Sequence, residues 1–223
     1  MVTSEVEARS LKAAKEQMYR THILDVAEEV FAENGFEQTQ VKNVASRAQI
    51  SLSTLYGRFP NKMELYRAVH ARRLDILMSR IRSYGSEYQE PLNQMLAAIE
   101  VYVSFHTEFP NYLRMHLKEG MAWSHADGLL SDEQKTHWEA GQKTMAKTFR
   151  AGMKGGVFVK DTPILCARTT NAMHQVALSQ WVLEGMRTRP ERLVENIHRQ
   201  FIRAFCVPEK VVELLAEYDA GTL

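Results

Sequence analysis

Cysteine is nearly absent from this sequence of 223 residues, and neither Cys166 nor Cys206 has neighbours that would complete a metal site. A secreted scaffold held together by disulfides is therefore excluded. The sequence also lacks a signal-peptide pattern, an Asn-x-Ser/Thr sequon and any uncharged apolar run close to the roughly 20 residues that cross a bilayer. We therefore expect a cytoplasmic protein with no membrane segment.

Motifs of catalysis are missing as well. The eight histidines are dispersed, and no His-x-x-x-His pair with an adjacent glutamate occurs. The glycines at 152, 155 and 156 do not have the spacing of a phosphate-binding loop, and there is no Gly-x-Ser-x-Gly elbow. The sequence thus predicts that the protein is not an enzyme and that it holds no metal and no cofactor.

Proline divides the chain into stretches of helical length, and no stretch alternates apolar and polar residues as a half-buried strand does. Apolar residues from Ile23 to Phe31 follow the spacing of one helix face, and Gly35 is suited to end that helix. We predict an all-α protein of nine or ten helices. The polar residues 1–18 form either a helical extension or a flexible arm.

Two short helices are predicted between Thr39 and Phe59, with Thr39 and Ser51 as their N-caps. Neither is long enough to be stable alone, so both must pack on the helix that precedes them. The connection between them, Gln49-Ile50-Ser51, is tight. This pattern is typical of a helix-turn-helix, and a longer helix from about 62 to 84, capped by Asn61, follows it.

Positive charge is concentrated in the same segment. From Gln38 to Arg73 there are seven basic residues and a single acid, Glu64, a net charge of +6 in a chain that carries +1 as a whole. Local basicity beside a helix-turn-helix favours contact with DNA phosphates.

Three motifs in this segment closely resemble the tetracycline-repressor (TetR) family: TQVKNVASRA at 39–48, SLSTLY at 51–56 and FPNK at 59–62. The resemblance covers about residues 20–66. The family often has glycine in the turn where this chain has Gln49, which implies a left-handed conformation of Gln49 that costs about 1 kcal/mol. It implies a three-helix helix-turn-helix DNA-binding domain at 19–66 after the N-terminal extension at 1–18. It also implies a C-terminal helical bundle at 67–223 for ligand binding and dimerisation. The function implied is a one-component transcriptional regulator, a repressor that a small effector releases from a palindromic operator.

The resemblance also assigns contacts with double-stranded operator DNA to particular positions. Thr39, Tyr56 and Lys62 would contact phosphates, with Arg58 as a further contact, and the start of the second short helix would face base edges. Leu52 stands where the family often has a polar or basic residue, which favours apolar contact with a thymine methyl. The full set of implied DNA contacts is Thr39, Gln40, Ser51, Leu52, Ser53, Thr54, Tyr56, Arg58 and Lys62.

The second half of the chain is rich in large, adaptable side chains, which form either ordinary core or an apolar effector pocket with a few polar groups. The effector expected for such a pocket is apolar or aromatic, with an anionic or hydrogen-bonding end that faces a histidine. The candidate pocket residues are Tyr102, Phe105, His106, Tyr112, Met115, His116, Trp123, Trp138, Met145, Phe149, Asn171, His174 and Trp181.

A homodimer is expected from the resemblance, through helices at about 163–186 and 190–206. Small residues on the first of these helices would permit close approach of the two copies: Ala167, Thr170, Ala172 and Ala177. A single recognition helix reads only a few base pairs, so a two-fold pair is needed for useful specificity.

Two other functions compete with a DNA-binding regulator. A helical carrier of lipids or drugs would need the pocket alone, but the +6 segment and the complete helix-turn-helix argue against it. An all-α enzyme would need a catalytic constellation, and the sequence offers none. We therefore take the regulator as the prediction.

Overall fold

The protein is described by a computed structural model that covers residues 2–84, 88–118 and 131–223. Within these ranges the chain forms ten helices and no strand, apart from one isolated β-bridge between Phe158 and Cys206. The helices are α1 (Val2–Gln38), α2 (Val41–Arg47), α3 (Leu52–Tyr56), α4 (Lys62–Tyr84), α5 (Pro91–Glu108), α6 (Pro110–Lys118), α7 (Asp132–Lys154), α8 (Pro163–Leu183), α9 (Pro190–Phe205) and α10 (Pro208–Ala220). The all-α prediction is confirmed.

Proline begins half of these helices, namely α5, α6, α8, α9 and α10. The first residues of a helix have no intrahelical partner for their N–H groups, so proline loses nothing there and its fixed φ suits the first turn. The interpretation of proline as punctuation between helices is therefore correct.

The long first helix includes the polar N-terminal extension, which is helical from Val2 onward. Its regular geometry breaks at Gly35, where φ is +74° and ψ is 172°, and one further turn ends at Gln38. Glycine is suited to this position because a positive φ is costly for residues with a Cβ.

Two clusters of buried apolar residues hold the fold together. The first is formed by α1–α4 with Val101, Phe105, Tyr112 and Met115 of α5 and α6. The second lies among α5–α9. The N-terminal helices therefore share their core with α5 and α6. The boundary predicted at residue 66 stays a prediction.

Candidate nucleic-acid interface and effector cavity

The helix-turn-helix is formed by α2 and α3. Gln49 has a φ of +55° in the turn between them, as predicted, and the N–H of Ile50 donates to the carbonyl of Ala45 at 3.0 Å. Leu55 and Phe59 are buried beneath the turn. The two short helices are thus fixed against α1, and α3 presents its other face to solvent.

A group of hydroxyls lies at the exposed N-terminus of α3. The Ser51 hydroxyl accepts from the N–H of Thr54 at 3.0 Å, which confirms Ser51 as the N-cap. The same oxygen lies 2.9 Å from the Ser53 hydroxyl and 2.7 Å from that of Thr54. Together with the exposed side chains of Leu52 and Tyr56, these residues form what we call the recognition face.

Thr39 does not have the predicted capping role. Its side chain is 3% exposed, and its hydroxyl donates to the carbonyl of Gly35 at 2.7 Å. The N-cap of α2 is Gln40, which is exposed and makes no side-chain capping bond. Thr39 therefore closes the broken end of α1 and does not offer its hydroxyl to a phosphate.

Lys62 is also committed to the fold. Its Nζ donates to the carbonyls of Phe36, Glu37 and Thr39 at 2.8, 3.1 and 3.2 Å, and it lies 4.5 Å from the centre of the Phe36 ring. An ammonium group has three N–H donors, so the group is saturated. It also neutralises the negative end of the α1 dipole. The predicted phosphate-contacting lysine is instead a clamp between α1 and α4.

Replacing Lys62 by methionine should therefore lower stability. The methionine retains much of the aliphatic stem but loses three charge-assisted hydrogen bonds, so the free energy of unfolding should fall by about 2 kcal/mol. Denaturant unfolding of this variant beside Lys42→Met measures the effect, because Lys42 is exposed on α2. Equal stability of the two variants, with a reduced salt dependence of DNA binding for Lys62→Met, would instead support a phosphate contact.

The +6 segment is largely neutralised by acids of α1. Arg47 pairs with Glu33 at 2.8 Å, and Arg58 pairs with Glu16 at 2.9 Å. The hydrogen bond from Arg47 lowers the pKa of the Glu33 carboxyl below its usual value. Only part of the basic charge seen in the sequence is therefore available to DNA.

Two further arginines of the segment face the protein. Glu28 of α1 is bound by Arg72 at 3.0 Å and by Arg73 at 2.7 Å, and Arg72 also reaches Asp25 at 2.7 Å. The Arg73 guanidinium lies 3.9 Å from the centre of the Phe109 ring, between α5 and α6. This Glu28 triad ties the helix-turn-helix unit to the rest of the molecule.

A cavity of about 460 Å³ lies among α4, α5, α7 and α8. Its volume falls within the range of small-molecule sites. The described lining residues are His70, Leu74, Leu77, Met78, Ile81, Gln94, Met95, Ala97, Ala98, Val101, Tyr102, His106, Tyr112, His137, Trp138, Ala140, Gly141, Gln142, Thr144, Met145, Thr148, Asn171 and His174.

Part of the predicted pocket lines this cavity and part does not. The lining includes Tyr102, His106, Tyr112, Trp138, Met145, Asn171 and His174. The predicted residues buried elsewhere are Phe105, Met115, His116, Phe149 and Trp181. The indole N–H of Trp181, for example, donates to the carbonyl of Thr188 at 2.8 Å. Trp123 lies outside the described residues.

The part of the cavity wall that α4 contributes was not predicted from the sequence. His70, Leu74, Leu77, Met78 and Ile81 recur at the three- and four-residue spacing of one helix face. That apolar stripe is visible in the sequence and could have been assigned to the pocket.

Burial keeps the three buried histidines of the cavity, His70, His106 and His174, neutral. Desolvation lowers the pKa of His70 and of His174 to about 3, and that of His106 to about 4. The pKa values of Tyr102 and Tyr112 are raised for the same reason. At neutral pH these groups act as hydrogen-bonding dipoles without charge.

A chain of ring contacts joins the cavity to the helix-turn-helix unit. Nδ1 of His70 lies 3.1 Å from the Tyr112 hydroxyl, and the His70 ring packs on Tyr66 at 4.7 Å between centroids. Tyr66 in turn contacts Phe31 and Phe36, each at 4.9 Å. A change at the cavity wall thus has a packed route to the end of α1 that Lys62 clamps.

The described ranges contain neither a metal-binding cluster nor a membrane-spanning helix. Within those ranges, no three His, Cys, Asp or Glu side chains are grouped so that they could hold a metal ion. No helix of the described chain combines the length and apolar character needed to cross a membrane.

The fold and the exposed α3 define a helix-turn-helix unit followed by a helical bundle. Residues 23–69 match the family model described as bacterial regulatory proteins, tetR family. This match confirms the resemblance inferred from the sequence, and it lies on the helix-turn-helix unit of the chain.

Similar proteins agree with this assignment. The transcriptional activator FasR of Mycolicibacterium smegmatis is 34% identical over 86 residues, which are 39% of this chain and 39% of FasR. The regulator RutR of Escherichia coli is 30% identical over 115 residues, half of each chain. This chain thus spans half or less of the length of these relatives. The structure of the ketosteroid regulator KstR2 of Mycobacterium tuberculosis has a TM-score of 0.71 at 17% identity, and it covers 84% of this chain and 95% of KstR2. At that identity the likeness shows a shared fold.

Proposed function

We propose that the protein is a dimeric, ligand-responsive transcriptional regulator that binds a palindromic operator and is released from it by a small effector. The observation that carries the proposal is the exposed recognition face of α3, fixed by the turn at Gln49 and packed on α1. Relatives that share this part of the chain are named as regulators of transcription, not as enzymes. In this role the protein acts on DNA in the cytoplasm, as a repressor.

The side chains that we expect to contact DNA are those exposed at the start of α2 and on α3. Leu52, Ser53 and Thr54 are exposed at the start of α3, where side chains reach base edges in the major groove. The hydroxyl of Tyr56, the side chain of Gln40 and the N–H groups at the start of α2 are suited to phosphates. Arg58 can reach a phosphate only by giving up Glu16.

Substitution of Thr54 tests the recognition face. Thr54→Val keeps the shape and removes the hydroxyl, so selectivity among operator variants should change, with a loss of about 1–3 kcal/mol per base contact. Titration of operator variants by fluorescence anisotropy, with DNA from the flanks of the protein's own gene, measures this. Thr136→Val on α7 is the control, because Thr136 is exposed far along the chain from α3. Unchanged selectivity in Thr54→Val would remove that residue from the bases.

The dimer interface is best placed on α8. Leu165, Ala172, Val176 and Leu183 are all exposed on one face of this helix, at intervals of seven, four and seven residues. Such spacing is that of a helix seam that packs against a partner helix. Of the small residues predicted to lie in the interface, Ala167 and Thr170 are instead buried in the protomer's own core.

Charging this face should separate the dimer. The double variant Val176→Arg, Leu183→Arg should sediment as a monomer at micromolar concentration. It should lose at least about 100-fold in operator affinity, because two half-sites are no longer held together. Val212→Arg on α10 is the control, since Val212 is as exposed as Leu183, 80% against 78%. A dimeric double variant would exclude this face as the interface.

A further inference from the structure

Two buried side chains in the cavity wall carry polar atoms that make no hydrogen bond to the described part of the chain. Both ring nitrogens of His174 on α8, and Oε1 of Gln142 on α7, make no hydrogen bond to any described residue. Both side chains are more than nine-tenths buried, and both line the cavity. Buried polar groups in proteins are almost always satisfied, so unpartnered ones that line a cavity mark the position of a ligand's polar group.

The buried part of the described lining offers no charge to a ligand. Among the described lining residues there is no Asp, Glu, Lys or Arg. The histidines His70, His106 and His174 are neutral at pH 7 because burial lowers the pKa of each to about 3 or 4. A carboxylate or an ammonium group would lose its hydration here without gaining a counter-charge.

We propose that the effector is an uncharged, mainly apolar molecule with one hydroxyl group, an alcohol or a phenol, bound by His174 and Gln142. A neutral imidazole offers one donor and one acceptor, and Gln142 Oε1 offers an acceptor. A hydroxyl both donates and accepts, so it matches this pair, whereas an ether or a ketone has no proton for Gln142. The inference rests on the proposed effector response, and it narrows the sequence-based expectation, which allowed an anionic end.

Three probes of one shape test the ligand class by isothermal titration calorimetry of the full-length protein at pH 7.5. We expect 4-propylphenol to bind about tenfold or more tightly than propylbenzene, which lacks the polar group, and than 4-propylbenzoate, which is charged. Benzoate binding equal to or tighter than phenol binding would overturn the proposal. Equal binding of propylbenzene and the phenol would overturn it too, as would the absence of any binding.

Variants of the two polar residues identify the contacts. In Gln142→Leu and His174→Leu the affinity for 4-propylphenol should fall towards that for propylbenzene, while propylbenzene itself should change by no more than about twofold. Gln200→Leu, on the exposed face of α9, is the matched control and should retain the wild-type preference. A wild-type preference in both cavity variants would show that these side chains do not bind the hydroxyl.

These titrations contain no DNA, so they remain interpretable if operator binding fails. A phenol that binds tightly but leaves operator affinity unchanged would count against the proposed effector response and would leave the ligand class in place.

Discussion

Replacing Glu28 by glutamine is expected to lower the free energy of unfolding by about 3–5 kcal/mol. The Glu28 side chain is 5% exposed and accepts from both Arg72 and Arg73, with distances of 2.7–3.0 Å. Glutamine keeps the size of the side chain but removes the counter-charge that the partly buried Arg73 binds, and it leaves Arg72 with the more exposed Asp25 alone. Removing one partner of a buried ion pair costs far more than the pair contributes, because the remaining charge stays desolvated.

Asp25→Asn provides the matched control for this prediction. Asp25 lies on the same helix and binds Arg72 at 2.7 Å, but its side chain is 53% exposed, so its loss should cost less than about 1 kcal/mol. Denaturant unfolding of both variants at one pH measures the difference. Equal costs for the two variants would mean that burial of Glu28 does not set the strength of the triad.

The triad also connects the helix-turn-helix unit to the helical bundle. Arg73 lies over Phe109 while it binds Glu28, so it connects α1 to the junction of α5 and α6. We expect Glu28→Gln to loosen the helix-turn-helix unit from the bundle that contains the cavity. Hydrogen exchange should then increase first in α1 and α4, before the second core cluster is affected.

Local features of the fold could be predicted from the sequence because their causes are local. The cap at Ser51, the left-handed Gln49 and the proline starts each depend on residues within a few positions. The helix-turn-helix was therefore predicted with its correct helices and turn. The exception is Thr39, whose hydroxyl donates to the carbonyl of Gly35 at the break in α1 and so does not cap α2.

Partners distant in sequence could not be predicted. Lys62 binds carbonyls 23 to 26 residues before it, and Arg58 pairs with a glutamate 42 residues away. A count of charges along one segment cannot include acids that another helix brings opposite. The +6 segment was therefore assigned to DNA, although much of it binds α1.

The cavity was predicted in part for a similar reason. Large side chains in the second half of the chain occur both in the core and in the cavity lining. Which of the two environments a side chain occupies depends on how the helices pack. Phe149 belongs to the core because its ring packs against the rings of Phe158, Phe201 and Phe205, with centroids 5.1–5.9 Å apart. His174 lines the cavity although its helix neighbours Cys166 and Thr170 are buried against other helices.

The protein is expected to lose stability steeply as the pH falls below about 6. Burial lowers the pKa of His70 and His174 to about 3 and that of His106 and His198 to about 4, whereas an unfolded chain has values near 6.5. Between these limits the unfolded state binds more protons than the folded state. The free energy of unfolding therefore falls with falling pH, by up to about 1.4 kcal/mol per pH unit for each histidine.

Four such groups together give a slope of up to about 5 kcal/mol per pH unit near pH 5, which is comparable with the whole stability of a typical domain. Denaturant unfolding at pH 7.5, 6 and 5 measures the slope, which should be close to zero above pH 7. His174→Leu removes one titrating group without breaking any hydrogen bond to a described residue, so it should reduce the slope by about 1.4 kcal/mol per pH unit.

Gln200→Leu, at an exposed position on α9, is the control and should leave the slope unchanged, because it removes no titrating group. The hydrogen bond from Arg47 lowers the pKa of Glu33, so the stability that this carboxylate contributes is lost only from about pH 5 downwards. The loss of stability above pH 5 is therefore the part that reports the histidines. A transition that starts only below pH 4.5 and is unaffected by His174→Leu would show that the cavity histidines take up protons without unfolding the protein.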